Sequence, residues 1–506
     1  MKTSPFAGPR AWLPFLILLL ALGGTLRLLD LTDPPLDFHP SRQLRNSLVA
    51  RDIYYHLLPN TDAHTLALTE SFRRSVGQYE PPIIETLVAW TYRLTGGENL
   101  AIPRLWESLF WLLAGVALFD LLRRAVSPWA ALGALTFYLV LPFSVEASRS
   151  FQPDPLMTSA FVVGIYFLYR WSESYALSGA GEARKVETQQ WRFALLAALF
   201  LGFATLVKVV IAFFVGAAAV ALVLFTLGWN FWKSKQVWAM AAVMIAPAFI
   251  FYVLLHSGRS TEYFFSWSAA LVQLITTTDF YSKWLAFLGS LFGLTVLFAA
   301  LAGTFLVQPR LRWLLVSLWV GYLAYGLTLP FQMYTHSYYH VQLIPIIALG
   351  LAGVLNPLFE AAAGQGRVVR AAFVAVILAV VGYQSWVARS VLVAEDFRHE
   401  PAIWAQIGKA IPANAEVIGL TQEYGFRLML WGWRKIDQWP VTSDLAELRG
   451  SDTDAAAHFD VLTQGEDYFL VTAFGQLEKQ PALKKILEKY PVAAQGDGFV
   501  LYDLRK

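Results

Sequence analysis

Long apolar runs, broken by short polar stretches, repeat along most of the chain. Runs near the length needed to cross a bilayer, about 20 residues, fall at 12–29, 104–122, 129–147, 155–171, 192–207, 209–228, 237–256, 284–307, 312–330, 339–358 and 368–388. The stretch 192–228 is almost continuous and carries one internal charge, Lys208. A single helix of that length would measure about 50 Å against a hydrocarbon core of about 30 Å. It is therefore read as two spans that turn at Lys208. Pro82 to Leu94 is apolar but too short to span, and is predicted to lie as a helix on the outer surface.

The basic segment Met1 to Arg10 precedes the first run, as in a signal peptide, but no small-x-small cleavage site follows. The run from Trp12 to Leu29 is read as an uncleaved first span. With the N-terminus inside, the inner loops hold Arg123 and Arg124, Arg184 and Lys185, Lys233 and Lys235, Arg310 and Arg312, and Arg367 and Arg370. The short outer loops are poorer in cations: Arg149 alone in one, none between Gln332 and Tyr338. This is the positive-inside pattern. Spans counted from an inner N-terminus leave the C-terminus outside.

The expected fold class is therefore a mainly α, polytopic membrane protein of about 11 transmembrane helices with a C-terminal extracytoplasmic α/β domain. A membrane domain is expected over 1–394, including a first outer loop from 30 to 103, and a soluble domain over 395–506. In that tail Glu416–Thr421, Arg427–Trp433, Asp467–Phe474 and Phe499–Leu504 read as strands. Pro401–Ile411, Ser443–Leu448 and Pro481–Tyr490 read as helices. The expected location is the plasma (inner) membrane, with a cytoplasmic N-terminus.

Composition agrees with a lipid environment: 57% of the 506 residues are hydrophobic and 15% charged, against about 25% charged in soluble domains. A formal net charge of +3 without a dense basic cluster gives no reason to expect nucleic-acid binding. The absence of cysteine removes disulfides, thiolate metal sites and a cysteine nucleophile.

Three outer segments carry candidate chemistry. Leu36-Asp37-Phe38-His39-Pro40-Ser41-Arg42-Gln43 follows the first span and continues to Arg45, Arg51 and Asp52. A carboxylate beside several arginines suits general-base chemistry next to an anionic lipid head group. The same residues also fit a helix start, with Ser41 as the cap of a helix running to Leu58. Arg149-Ser150-Phe151-Gln152-Pro153-Asp154-Pro155 opens the fourth span, where Asp154 before Pro155 also reads as a plain N-cap. Lys208, His336, Tyr338, Tyr339 and His340 lie where a lipid phosphate could be held at head-group depth. Snorkelling and an aromatic belt explain them equally. A divalent metal on Asp37, His39, His56 and His64 fits no recognised ligand spacing, and no other cofactor is implied.

Taken in order, these segments resemble the GT-C class of integral-membrane glycosyltransferases, on the branch of the protein O-mannosyltransferases and aminoarabinose transferases. The resemblance covers about residues 10–390. It rests on Asp37 with Arg42-Gln43 just past the first span, and on Glu80-Pro81-Pro82 leading a surface helix that ends in Thr95-Gly96-Gly97. It also rests on Gln152-Pro153-Asp154-Pro155-Leu156-Met157, on Leu206-Val207-Lys208, and on His336-Ser337-Tyr338-Tyr339 followed by Pro345. The chain differs from protein mannosyltransferases in having Asp37-Phe38-His39 where they place Asp-Glu. It differs from aminoarabinose transferases in having Pro81 where they place Lys. The Trp-Trp-Asp signature of oligosaccharyltransferases is absent.

The resemblance implies inverting transfer of one sugar from a polyprenyl phosphate to an acceptor hydroxyl at the outer face. It makes Asp37 and Asp154 the catalytic carboxylates. Arg42, Arg45, Arg51, Lys208, His336, Tyr338 and Tyr339 would bind the donor phosphate. His39, Gln43, Glu80 and Gln152 would orient the acceptor. The partners implied are a polyprenyl-phosphate sugar, membrane lipids, and an acceptor that is a glycan, a lipid or a protein. A transporter or lipid flippase is the rival reading. It calls for ionisable residues near mid-span, where the sequence offers Glu107 and Asp120.

Because the chain has no cysteine, its topology can be tested by single substitutions. Cysteines at Ser127, Ser234 and Gln365 are expected to be shielded from an impermeant thiol reagent in intact cells, and those at Thr61, Ser260 and Ser451 to react. Labelling of position 234 from outside would overturn the span order.

Overall fold

The computed structural model describes residues 11–176, 183–256, 269–443 and 455–505. They form two compact units. One comprises Met1–Leu31, Tyr79–Pro81 and Arg104–Ala394; the other comprises Thr32–Gln78, Pro82–Pro103 and Glu395–Lys506.

The secondary structure of the first unit, among the described residues, is helical. Among the described residues seven helices are long and apolar enough to cross a membrane: Ala101–Ala125, Val186–Val207, Val209–Lys233, Lys235–Leu255, Pro309–Thr328, Ser337–Ala363 and Arg367–Leu392. Leu13–Leu28 and Pro128–Val140 are apolar but shorter, and Pro153–Ala176 is a further long helix. Capping follows local sequence. Ser127 accepts from the Ala130 N–H ahead of Pro128, and Gln308 accepts from the Arg310 N–H ahead of Pro309, so each proline sits where no helical N–H is needed.

The run 284–307, expected as one span, is two helices, Thr278–Phe292 and Leu294–Gly303, bent by 92°. Gly293 sits at the corner with φ +78°, a conformation open to glycine at little cost. Beyond the corner, backbones approach closely. A Cβ on Gly303 would lie 2.1 Å from the Gly350 carbonyl oxygen, so these spans meet through small residues as membrane helices commonly do.

In the second unit a five-stranded sheet runs in the order β2-β1-β3-β5-β4, with β1 Val417–Leu420, β2 Asp437–Gln438, β3 Tyr468–Val471, β4 Val492–Gly496 and β5 Phe499–Asp503. β1 pairs in parallel with β2 and β3, and β5 pairs antiparallel with β3 and β4. The central strands β1 and β3 are buried and apolar along their length, as strands covered on both faces must be. One face carries Ile418, Leu420, Phe469 and Val471 against Trp439, Phe459, Leu483 and Leu487. The other carries Val417, Tyr468, Leu470 and Leu501 against Trp404, Ile407 and Leu428, and also Leu44, Leu48 and Phe72 of the first outer loop.

That second core divides the chain differently from the sequence expectation. The first outer loop groups with the C-terminal residues, because its helices Pro40–Leu57 and Ala63–Val76 supply one side of their core. Arg427–Trp433, expected as a strand, is a π-helical turn over Leu428–Gly432. Three consecutive buried residues, Leu428, Met429 and Leu430, do not alternate as a half-buried strand would. The expected helix Ser443–Leu448 falls, apart from Ser443, outside the described residues.

A fragment of residues 395–506 alone would leave the surface under Leu44, Leu48 and Phe72 bare. We expect it to lack a cooperative thermal transition by circular dichroism, and a fusion with 32–103 to regain one. A sharp transition in the tail alone would contradict the shared core.

Candidate active site

The helix Val186–Val207 stops at Lys208, which is extended (φ −155°, ψ 115°) before a turn at Val209–Ile211 and the helix Ala212–Leu227. The break turns the lysine side chain inward. Lys208 is 5 % exposed and its Nζ donates to both oxygens of Asp154, at 2.8 and 2.9 Å. Asp154, 2 % exposed, lies in the first turn of Pro153–Ala176. The helix begins at Pro153, so Asp154 is inside it and is not the N-cap expected from the sequence. Its carboxylate neutralises a buried ammonium, which otherwise carries a large desolvation cost.

The same ammonium lies 5.0 Å from the Tyr338 ring centre and 5.2 Å from that of Tyr339, within cation–π range. Tyr339 stacks on Tyr325 at 6.2 Å, and the His336 ring lies 5.5 Å from Tyr338 and 6.1 Å from Tyr339. Gln342, buried, donates to the Tyr339 carbonyl. The structure thus gathers Asp154, Lys208, His336, Tyr338 and Tyr339 into one cluster. Tyr325 and Gln342 belong to it and were not read from sequence, since a tyrosine in a span and a lone glutamine carry no local motif. His340 serves the scaffold: its two ring nitrogens face the Tyr322 hydroxyl at 2.8 Å and the Met333 carbonyl at 3.0 Å.

The turn ahead of Asp154 is pinned by buried arginines. Arg149 donates to the carbonyls of Leu29 and Asp30, and Arg104 to those of Asp30 and Leu31, at the end of the first span. Arg27 donates to Ser148 Oγ at 2.8 Å. Carbonyls left over at a helix end are thereby satisfied, and the 148–152 turn is fixed with Gln152 fully buried. Glu80 belongs to this unit and lies within electrostatic reach of Tyr252.

In the second unit, Asp37 is half-buried, and its Oδ1 accepts from the Phe38 N–H at 2.9 Å and from Gln43 Nε2 at 3.1 Å. Gln43 also donates to the Phe38 carbonyl. His39, at φ +48°, turns the chain into the helix Pro40–Leu57, with Pro40 as first residue and no side-chain cap. Ser41 is therefore not the cap expected from the sequence. Arg42 sits on the first turn, beside the Asp37 loop.

Arg45 and Arg51 meet protein groups of their own unit. Arg45 donates to the carbonyls of Val76 and Gly77 and to Asn46. Arg51 forms a two-pronged pair with Glu98, donates to the carbonyls of Met429 and Leu430, and stacks 4.4 Å over Trp433. Both tie the helix Pro40–Leu57 to its neighbours through charge-assisted hydrogen bonds. Asp52 is paired with Arg73 and His56.

The chain shares its fold with GT-C integral-membrane glycosyltransferases of known structure. Residues 79–256 match the family described as dolichyl-phosphate-mannose-protein mannosyltransferase. Solved structures similar to the chain include ArnT from Cupriavidus metallidurans in the apo state (TM-score 0.60, 16% identity, covering 97% of this chain and 98% of that one). The same protein bound to undecaprenyl phosphate gives a TM-score of 0.57 at 16% identity, covering 98% of each chain. The apo oligosaccharyltransferase of Archaeoglobus fulgidus gives 0.55 at 11% identity, covering 92% of this chain and 70% of that one. No curated protein sequence matches.

The buried pair makes a direct prediction. Asp154→Asn strands an ammonium and Lys208→Met strands a carboxylate, so each alone should destabilise the protein by about 3–5 kcal/mol. Combined, they should cost at least about 1 kcal/mol less than the sum. Strict additivity of the shifts in thermal midpoint would contradict a coupled pair.

Proposed function

We propose that the protein is an inverting glycosyltransferase that moves a single sugar from a polyprenyl-phosphate donor to an acceptor hydroxyl at the outer face of the plasma membrane. The observation that carries this reading is the Lys208–Asp154 pair under Tyr338 and Tyr339. It is a cation held at the end of a span, among hydroxyl-bearing rings, on a fold that ArnT shares. That ArnT has been solved with undecaprenyl phosphate supports a lipid phosphate as the leaving group.

In this reading the acceptor oxygen attacks the anomeric carbon from the face opposite the phosphate. The new C–O bond forms as the bond to the phosphate oxygen breaks, and its electron pair stays on the phosphate. Asp37 receives the acceptor proton, with Gln43 holding the carboxylate in place and His39 and Arg42 beside it. Lys208 takes up the developing phosphate charge, with His336, Tyr338 and Tyr339 as further contacts. Preorganised charge of this kind is the main electrostatic device for such a transfer. Asp154 holds the lysine side chain in place before the donor arrives. Gln152 and Glu80 act in orientation. The acceptor is a glycan, a lipid or a protein hydroxyl.

A transporter reading is less well supported. Asp120, a carboxylate inside a span, is neutralised by Arg124 at 2.7 Å and by Arg123 beside it, so it offers no charge to a path.

Asp37→Asn keeps the side-chain shape but cannot accept a proton at neutral pH. The variant should fold and bind donor lipid yet lose transfer by roughly 10²–10⁴, the usual worth of a general base. The assay is transfer from a mass-tagged donor to a membrane extract. Near-normal transfer by the folded variant would remove Asp37 from the role.

A further inference from the structure

The helix Pro153–Ala176, which places Asp154 beside Lys208, carries a second polar site near its other end. Ser172 lies about 27 Å of helix from Asp154, close to the full depth of a hydrocarbon core of about 30 Å. At that end Ala212–Leu227 packs on both Pro153–Ala176 and Pro309–Thr328.

Arg310, in the first turn of Pro309–Thr328, is half-buried at this junction. Its Nε donates to Ser172 Oγ at 3.0 Å, and Thr226 Oγ1 lies 2.7 Å from the same oxygen. The guanidinium carbon stands 5.8 Å from the Tyr169 ring centre and 5.6 Å from that of Phe225. The Tyr169 hydroxyl accepts from Gln308 Nε2, and Gln308 accepts from the Arg310 N–H. The cation is fixed from several sides, each time by a neutral group.

Among the described residues no carboxylate pairs with Arg310. Other arginines at this end are treated differently: Arg123 and Arg124 pair with Asp120, and Arg170 pairs with Glu173. The start of a helix is also an unfavourable place for a cation, because the dipole there is positive. A charge bias toward inner loops accounts for cations at this level, and exposed Arg312, two residues on, already serves it. That bias does not call for a guanidinium held between two rings by a hydroxyl. A partly buried charge without a counter-charge is costly, and an anion from outside the chain would remove that cost. An arginine held this way presents a planar fork that matches a phosphate.

The surroundings set the depth. Trp313, one turn along the same helix, and Trp229 and Trp232, just past the end of Ala212–Leu227, are exposed. Tryptophans of this kind collect at the head-group level, which places Arg310 at the depth of lipid phosphates.

We infer that Arg310, with Ser172 and Tyr169, seats the phosphate of an anionic phospholipid from the leaflet opposite the Lys208 cluster. This seat is separate from the Lys208 cluster and does not depend on the proposed transfer. A lipid bound there would join the ends of three spans.

The test is native mass spectrometry of the first lipid bound by the full chain in a neutral detergent. Phosphatidylglycerol is the anionic probe and phosphatidylcholine the zwitterionic one. The wild-type chain should bind phosphatidylglycerol about tenfold more tightly, the worth of one charge-assisted hydrogen bond. Arg310→Gln should remove that preference. Arg312→Gln, which removes the same charge two residues away, should leave it within about twofold. Ser172→Ala keeps the charge but frees the guanidinium, and should weaken phosphatidylglycerol by about threefold; it gives a reading even if Arg310→Gln fails to fold. Equal binding of the two lipids by the wild-type chain would overturn the inference. So would a preference retained by folded Arg310→Gln, lost alike in Arg312→Gln, or unchanged in Ser172→Ala. Glycerol 1-phosphate should not compete with the lipid, and competition by it would assign the seat to a soluble phosphate instead.

Discussion

The buried pair between Lys208 and Asp154 is the constraint around which the helical unit is arranged. An ammonium with 5 % exposure persists only where a carboxylate meets it and hydrogen bonds satisfy both partners. The span must break at Lys208 to turn it inward. The opposing helix must begin so that Asp154 faces it, and the preceding turn must be held. Arg149 does the holding by donating to the carbonyls at the end of the first span, where Arg104 also donates, and Arg27 by donating to Ser148. The aromatic rings of Tyr338 and Tyr339 then close over the cation. A charge that is expensive to bury is kept where a phosphate would need it.

The second unit fixes Asp37 by other means. Its sheet and the helices of the first outer loop share one core, and Arg45 and Arg51 tie the helix after Asp37 to its surroundings through backbone carbonyls and Glu98. A general base, the role proposed for Asp37, must be held within hydrogen-bond reach of its proton, and a loop fastened at its following helix would meet that need better than a free one. Gln43 completes the arrangement by donating to both the carboxylate and the Phe38 carbonyl.

Much of this was legible in the sequence. Helices occupy the expected apolar runs, although 129–147 and 284–307 are each two helices, and seven helices among the described residues have the length and hydropathy of a full span. The break at Lys208 followed from a length argument, and the bend at Gly293 was missed because one glycine in an apolar run has no signature until its φ is known. Asp154, Lys208, Tyr338 and Tyr339 were picked out separately, and their meeting is a tertiary fact that spacing does not contain. That Arg45 and Arg51 meet backbone carbonyls and Glu98 was not legible, because an arginine near a carboxylate reads the same whether it serves a ligand or a carbonyl. The Leu428–Gly432 turn was mistaken for a strand since a short apolar run does not distinguish the two.

The central claim is that the Lys208 cluster recognises a sugar-bearing polyprenyl phosphate, and mass spectrometry of lipids that co-purify with the protein tests it most directly. The account predicts a polyprenyl phosphate, in part carrying a single sugar, enriched over the bulk membrane with the wild-type chain and depleted with Lys208→Ala. Recovery of the same bulk phospholipids from both proteins, with no polyprenyl phosphate above the membrane background, would contradict it.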